Sequence, residues 1–74
     1  MNYRERIVIN PEIRSGKPIV KGTRITVFDV LDYLSAGTSE SELLSDFPQL
    51  DRQDVLACLA YAADRERRTS TSQS

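Results

Sequence analysis

Glycine and proline residues in the first third of the chain constrain its fold most strongly, because together they exclude a helix there. The segment 13–25 contains Gly16, Pro18 and Gly22. Residues of these two types at such short intervals permit only brief extended pieces joined by turns. Helices can therefore begin only after this segment, and the first third is expected to form a small hairpin or wing.

Two short strands are expected in this first third. Residues 5–9 predict a strand, because a β-branched run is followed there by the turn signal Asn10-Pro11. Residues 19–20 form a second and shorter candidate. A last extended segment at 24–27 is expected to lead into the helices.

The remaining sequence predicts three helices that share one kind of start. A side chain that can cap a helix is followed three positions later by an acidic residue in three places: Thr26 and Asp29, Ser39 and Glu42, Asp51 and Asp54. Gly37 and Pro48 then end the first two helices. The pattern predicts a mainly α domain over residues 1–68, a three-helix helix-turn-helix bundle that is winged-helix-like in having a short N-terminal β hairpin. A disordered tail is expected at 69–74.

The composition argues against an enzyme. A chain of 74 residues holds one small domain. It contains no histidine, the commonest metal ligand and the usual general base near neutral pH. The single cysteine, Cys58, has no disulfide partner and is expected to pack in the core. No catalytic residue, metal or cofactor is therefore expected. No apolar run approaches the roughly 18 residues that span a bilayer, and no secretory signal is present, so a cytoplasmic protein without a membrane partner is expected.

Charge is distributed unevenly along the chain. Residues 1–28 carry six basic side chains against two acidic ones, whereas residues 29–54 carry seven acidic side chains against one basic one. Such an asymmetry predicts two faces for two kinds of partner.

The last predicted helix is apolar around nearly its whole circumference between residues 55 and 63. One stripe facing the core needs fewer apolar residues than this. Core packing explains part of the run, and a partner or a second copy of the chain is the sharper hypothesis. A homodimer or partner interface is therefore predicted at Val55, Cys58, Leu59, Tyr61 and Ala62.

Several motifs together resemble the domain of unknown function 433 family: Asn10-Pro11, Gly16-Lys17-Pro18, Lys21-Gly22-Thr23-Arg24-Ile25-Thr26-Val27, Gly37, Phe47-Pro48 and Leu59-Ala60-Tyr61-Ala62. The resemblance implies a homeodomain-like three-helix fold that follows a small β element. It also implies a type II antitoxin, which neutralises a PIN-like nuclease toxin by contact and binds its own operator DNA. The alternative function is a protein-interaction module of the same fold with no nucleic-acid partner.

Two sets of residues are candidates for DNA contacts. A helix-turn-helix protein places the start of its third helix in the major groove, where Arg52 and Gln53 can read base edges. The carboxylates on either side of this pair would meet phosphates unfavourably. The basic segment offers a second set, consisting of Lys17, Lys21, Thr23 and Arg24. A purely structural role is equally open for Gly22-Thr23-Arg24, with Arg24 paired to Asp29 or Asp32.

Overall fold

Three helices and one short hairpin form the fold of the computed structural model, which describes residues 1–69. The strands are β1 (Ile7–Val8) and β2 (Ile19–Val20), and the helices are α1 (Val27–Ser35), α2 (Glu40–Asp46) and α3 (Arg52–Thr69). This architecture confirms the predicted three-helix fold with an N-terminal β hairpin. The disordered tail predicted for 69–74 lies outside the described residues, apart from Thr69, at which α3 ends.

The hairpin is shorter than the sequence predicted. β1 and β2 pair antiparallel, with Ile7 opposite Val20 and Val8 opposite Ile19. The prediction of a strand over 5–9 is confirmed only at Ile7–Val8, because Glu5 ends a turn of 3-10 helix and Ile9 lies beyond the paired residues. Pairing stops after Ile19 because the residue before it is Pro18, which has no backbone N–H to donate.

The loop between the two strands contains left-handed backbone. Arg14 and Ser15 have φ of 51° and 60°, and Gly16 follows with φ of 78°. This region costs a non-glycine residue on the order of 1 kcal/mol or more. A guanidinium nitrogen of Arg14 donates to the backbone oxygen of Arg24 at 2.8 Å and to a carboxylate oxygen of Asp29 at 2.9 Å. These contacts to α1 and to the segment before it help to offset the strain of the loop.

Each helix begins with the capping box that its sequence predicts. In every box the first side chain accepts a hydrogen bond from the backbone N–H of the acidic residue, which accepts one in return from the backbone N–H of the first. The donor-acceptor distances are 2.9 and 3.0 Å for Thr26 and Asp29, 3.1 and 3.1 Å for Ser39 and Glu42, and 2.9 and 3.0 Å for Asp51 and Asp54. These bonds satisfy backbone donors that the first turn of a helix leaves without partners, so the three helix starts are determined locally.

The core lies where the hairpin and the three helices meet. Val30 of α1, Leu43 of α2, and Ala57 and Cys58 of α3 have no exposed surface. The prediction that Cys58 packs in the core is therefore confirmed. Burial raises the pKa of its thiol to about 12, which keeps the thiol protonated and unreactive near neutral pH. Among the described residues, no helix is both long enough and apolar enough to cross a membrane.

Candidate functional site

An apolar groove runs between α1 and α3 in the described part of the chain. Its volume is about 630 Å³. Two large apolar side chains stand at its edge with most of their surface in solvent, Phe28 at 65% and Ile9 at 62% exposure. We call this feature the α1–α3 groove; it is lined by Ile9, Gly16, Pro18, Val27, Phe28, Leu31, Tyr61, Ala62, Arg65 and Glu66.

Phe28 points away from the core because of the position at which α1 begins. The capping box fixes the start of α1 at Val27, so that Val27 and Val30 face inward. Phe28 follows Val27 by one position, which turns its side chain about 100° around the helix axis. The sequence prediction missed this residue. The available signal was a large aromatic residue immediately beside the apolar stripe of α1.

The predicted partner interface on α3 is divided by the fold. Tyr61 and Ala62 line the groove, whereas Leu59 is 42% exposed and lies outside it. The assignment of Val55 and Cys58 to an interface is corrected, because both side chains are buried in the core of this chain. They have no surface left for a second protein.

The start of α3 is poorly suited to DNA in electrostatic terms. The side chain of Arg52 is bound to Glu40 of α2, with its Nε 3.2 Å from a carboxylate oxygen. Asp51, which precedes it, keeps 63% of its side chain exposed. Gln53 is exposed and can still donate and accept hydrogen bonds. A phosphate approaching this helix would therefore meet a carboxylate and an arginine that already has an acidic partner.

In the second set of residues predicted to contact DNA, Thr23 instead stabilises the turn before α1. The hydroxyl of Thr23 donates to the backbone oxygen of Val20 at 2.8 Å and accepts from the backbone N–H of Ile25 at 3.0 Å. These two hydrogen bonds give Thr23 the structural role that the sequence allowed as an alternative to DNA binding. The predicted pairing of Arg24 with Asp29 or Asp32 was wrong: Asp29 is bound by Arg14 instead, and no ion pair joins Arg24 to Asp32 within the described residues.

Lys17, Lys21 and Arg24 are exposed. Lys21 borders a small depression together with Glu5, Arg6 and Asp54, so its surroundings carry both signs of charge. Of the basic set, Lys17 and Arg24 remain available to a phosphate at the surface.

Folding neutralises much of the charge asymmetry that the sequence displays. One guanidinium nitrogen of Arg6 lies 3.0 Å from a carboxylate oxygen of Asp51 and 2.9 Å from one of Asp54. Arg14 is paired with Asp29 in the same way. Basic residues of the first third thus bind acidic residues of the middle. The expectation of two oppositely charged faces is therefore wrong for the residues in these ion pairs.

A cluster of arginine residues forms where the N-terminal segment crosses the end of α3. The Tyr3 hydroxyl donates to a carboxylate oxygen of Asp64 at 2.6 Å. Arg67 and Arg68 bind the same carboxylate at 2.6 and 3.2 Å, and the guanidinium carbon of Arg4 lies 5.0 Å from the centre of the Tyr3 ring. The sequence prediction did not join these residues, since more than 60 positions separate Arg4 from Arg67.

Several carboxyl groups have pKa values below their usual range. For Asp64 the main cause is the hydrogen bond from Tyr3, followed by the charges of the neighbouring arginines. For Asp51 the main causes are the backbone N–H of Asp54 and then the charge and hydrogen bonds of Arg6. Partial burial raises the pKa of Asp29, but the hydrogen bonds from Thr26 and Arg14 outweigh that effect.

We expect acid to destabilise the fold through these groups. Their folded pKa values lie below the value of about 3.9 for an unfolded carboxyl. Their stabilisation is therefore complete above about pH 4 and is lost as the pH falls through the folded values. Thermal unfolding followed by circular dichroism should give a lower Tm at about pH 2.5 than at about pH 7. Arg14→Gln, which removes one partner of Asp29, should lower the Tm near neutrality and shrink the difference. An equal Tm at both pH values would contradict the expectation.

Among residues 1–69, no three side chains of the metal-ligating kinds gather into one site. Three surface features of the described residues are candidates for binding a partner: the apolar groove, the arginine cluster and the exposed basic residues before α1.

Known proteins resemble this chain in both sequence and fold. The family model described as "Protein of unknown function (DUF433)" matches residues 7–62. The uncharacterized protein y4eO of Sinorhizobium fredii is 37% identical over 59 residues, which make up 80% of this chain and 27% of that protein. The crystal structure of a DUF433 member from Anabaena variabilis matches 90% of this chain and 70% of its own, with a TM-score of 0.80 and 28% identity. Since the family model covers most of the sequence, the chain belongs to the DUF433 family.

Proposed function

We propose that this chain is the antitoxin of a type II toxin-antitoxin pair, which acts without catalysis in the cytoplasm. In this proposal it neutralises a PIN-like nuclease toxin by direct contact and binds its own operator DNA. The α1–α3 groove supports the protein-binding part, and the exposed Phe28 at its edge is the observation that carries it. The kind of partner follows from the family resemblance in the motifs of the sequence.

The exposure of Phe28 has an energetic consequence. Covering such a side chain completely contributes about 1.5 to 3 kcal/mol. Aromatic residues at the centre of an interface commonly dominate its binding energy. The described part of the chain leaves both Phe28 and Ile9 largely in solvent. A partner that covers them therefore gains the free energy of burying this apolar surface, which the fold of the chain leaves in solvent.

The rim of the groove indicates what the partner segment should carry. The guanidinium carbon of Arg65 lies 5.8 Å from the centre of the Tyr61 ring, and Glu66 lines the groove beside it. An apolar toxin segment with a carboxylate beside it would pair with Arg65 while its apolar side chains contact Phe28.

Co-purification tests the protein-binding part. The chain is produced together with the product of a neighbouring nuclease-like reading frame, and the toxin alone carries the affinity tag. Wild type should be retained, whereas Phe28→Asp should lose on the order of 100-fold in affinity, because the interface loses an aromatic contact and buries a charge. The substitution lies in the first turn of α1, where a carboxylate is compatible with the helix dipole.

Leu59→Asp is the matched control, since Leu59 is exposed outside the groove. Retention of the Phe28→Asp variant together with wild type would exclude the groove as the toxin site. Sedimentation of the chain alone tests the other possible occupant of the groove, which is a second copy of the chain. A dimer that Ala62→Glu separates would show that a second copy, and not the toxin, covers the groove, as the homodimer hypothesis states.

One observation favours the alternative of a protein-interaction module without nucleic acid. The first turn of α3 presents the exposed Asp51, and Arg52 is held by Glu40. A mobility shift on the promoter of the chain's own gene, repeated at several salt concentrations, separates the two functions. Binding that weakens steeply with salt supports phosphate contacts, and no binding at low salt supports the alternative.

A further inference from the structure

Three arginine residues meet at one corner of the fold, and we call them the arginine cluster: Arg4, Arg67 and Arg68. They line a shallow depression of about 550 Å³ together with Tyr3, Asp64 and small residues of α3. The cluster joins the 3-10 turn at the beginning of the described chain to the last turn of α3.

Beneath the cluster the carboxylate of Asp64 is largely buried, whereas the guanidinium groups above it are exposed. The side chain of Asp64 is 17% exposed, whereas those of Arg67 and Arg68 are 70% and 68% exposed. A ligand that approaches from solvent therefore meets guanidinium groups before it meets the carboxylate. Within the depression, three positive side chains surround one negative side chain, so the site attracts anions.

The side chains beneath the cluster hold it in place. Tyr3 packs edge to face on Tyr61, with ring centres 5.4 Å apart, and its hydroxyl is anchored to Asp64. The guanidinium group of Arg4 lies over the Tyr3 ring, and Asp64 holds Arg67 and Arg68. Guanidinium groups fixed in this way lose less rotamer freedom when they bind a phosphate, which they can contact through two parallel N–H donors.

We propose that the arginine cluster contacts the phosphate backbone of double-stranded DNA. This inference rests on the DNA-binding part of the proposed function and names the surface that performs it. In the cluster three arginine residues share one carboxylate, whereas at the start of α3 the single Arg52 lies beside Glu40 and the exposed Asp51. It is also more concentrated than the basic segment before α1, in which Arg14 is bound to Asp29.

Fluorescence anisotropy with a labelled duplex of the chain's own promoter tests the proposal. The purified chain is titrated at several salt concentrations, and the slope of log affinity against log salt counts the phosphate contacts. Each contact contributes about 0.9 to this slope, so Arg67→Gln with Arg68→Gln should reduce it by about 1.8. At about 0.1 M salt the affinity should fall on the order of 10- to 100-fold.

Two further pairs of substitutions show whether the loss of affinity is specific to the charges of the arginine cluster. Arg67→Lys with Arg68→Lys keeps both charges and should restore most of the salt slope. Lys17→Gln with Arg24→Gln removes two exposed charges from the competing surface and should leave the slope nearly unchanged. Thermal unfolding of each variant confirms that the fold persists.

Three results would overturn the inference. If the glutamine pair at 67 and 68 binds like wild type while the Lys17 and Arg24 pair or Arg52→Gln loses affinity, DNA binding stands and its surface lies elsewhere. If the glutamine pair binds DNA normally but no longer co-purifies with the toxin, the cluster is a protein-binding surface. If wild type itself does not bind the duplex at low salt, the DNA-binding part of the proposed function fails as well.

Discussion

Leu43→Ala is expected to lower the free energy of unfolding by about 2 to 5 kcal/mol. Leu43 belongs to α2 and has no exposed surface in a core to which all three helices contribute. Its truncation removes buried apolar surface and leaves a cavity that the surrounding helices can fill only in part. A domain of this length has about 4 to 11 kcal/mol of stability in total, so the loss is a large share of it.

Urea unfolding followed by circular dichroism measures this loss. Leu44→Ala is the matched control, because the neighbouring leucine is only half-buried and the helix propensities change equally. We expect the control to cost less than half as much as Leu43→Ala. A loss below about 1 kcal/mol for Leu43→Ala would show that α2 contributes little to the core.

Asp54→Ala is expected to cost about 1 to 3 kcal/mol, because one carboxylate performs two tasks. It accepts the backbone N–H of Asp51 at 3.0 Å, which completes the cap of α3. It also accepts from Arg6 at 2.9 Å, which ties α3 to the segment before β1. The alanine variant leaves a backbone donor unsatisfied and removes one of the two acidic partners of Arg6.

A double-mutant cycle separates the two tasks. Arg6→Gln alone removes the ion pairs and keeps the cap, whereas Asp54→Asn keeps an acceptor for the cap and removes the charge. The effect of Asp54→Ala should shrink in the Arg6→Gln background by the energy of the ion pair. Equal effects in both backgrounds would show that the cap alone accounts for the loss.

The last helix supplies both proposed binding surfaces. The groove uses Tyr61 and Ala62 and the positions four residues after them, 65 and 66. The depression around the arginine cluster is lined by α3 positions 60, 63, 64, 67 and 68. At 3.6 residues per turn the centres of these two sets fall on nearly opposite sides of α3, and the sets meet where Tyr61 packs on Tyr3. A toxin segment in the groove would therefore leave the cluster open to DNA, which allows both proposed partners to be bound together.

Sequence reasoning predicted the features that depend on near neighbours. The three capping boxes each need a side chain and a backbone N–H only three residues apart, so their residue types alone identify the helix starts. The turn-forming glycine and proline residues likewise kept α-helices out of the first third, where the structure has only 3-10 turns at Tyr3–Glu5 and Arg14–Gly16. The predicted strand over 5–9 was too long, because Glu5 belongs to a turn of 3-10 helix whose Tyr3 packs on Tyr61, far along the chain.

The candidate sites were harder to predict because they depend on which distant residues meet. The sequence indicated a basic first third and an acidic middle, and both were real. Only the folded chain shows that Arg6 and Arg14 are taken up by acidic partners from the middle. The same reason explains the misassignment of Val55 and Cys58, since an apolar helix does not reveal which of its faces the rest of the chain covers.

The sequence by itself determined the number of helices, their starts and the place of the hairpin, since local hydrogen bonds and backbone restrictions set these features within a few residues. The tertiary structure alone decided which charges remain at the surface, which apolar side chains stay uncovered and that Arg4 joins Arg67 and Arg68. Those outcomes arise from contacts between residues tens of positions apart, and a helical or strand pattern carries no information about such pairs.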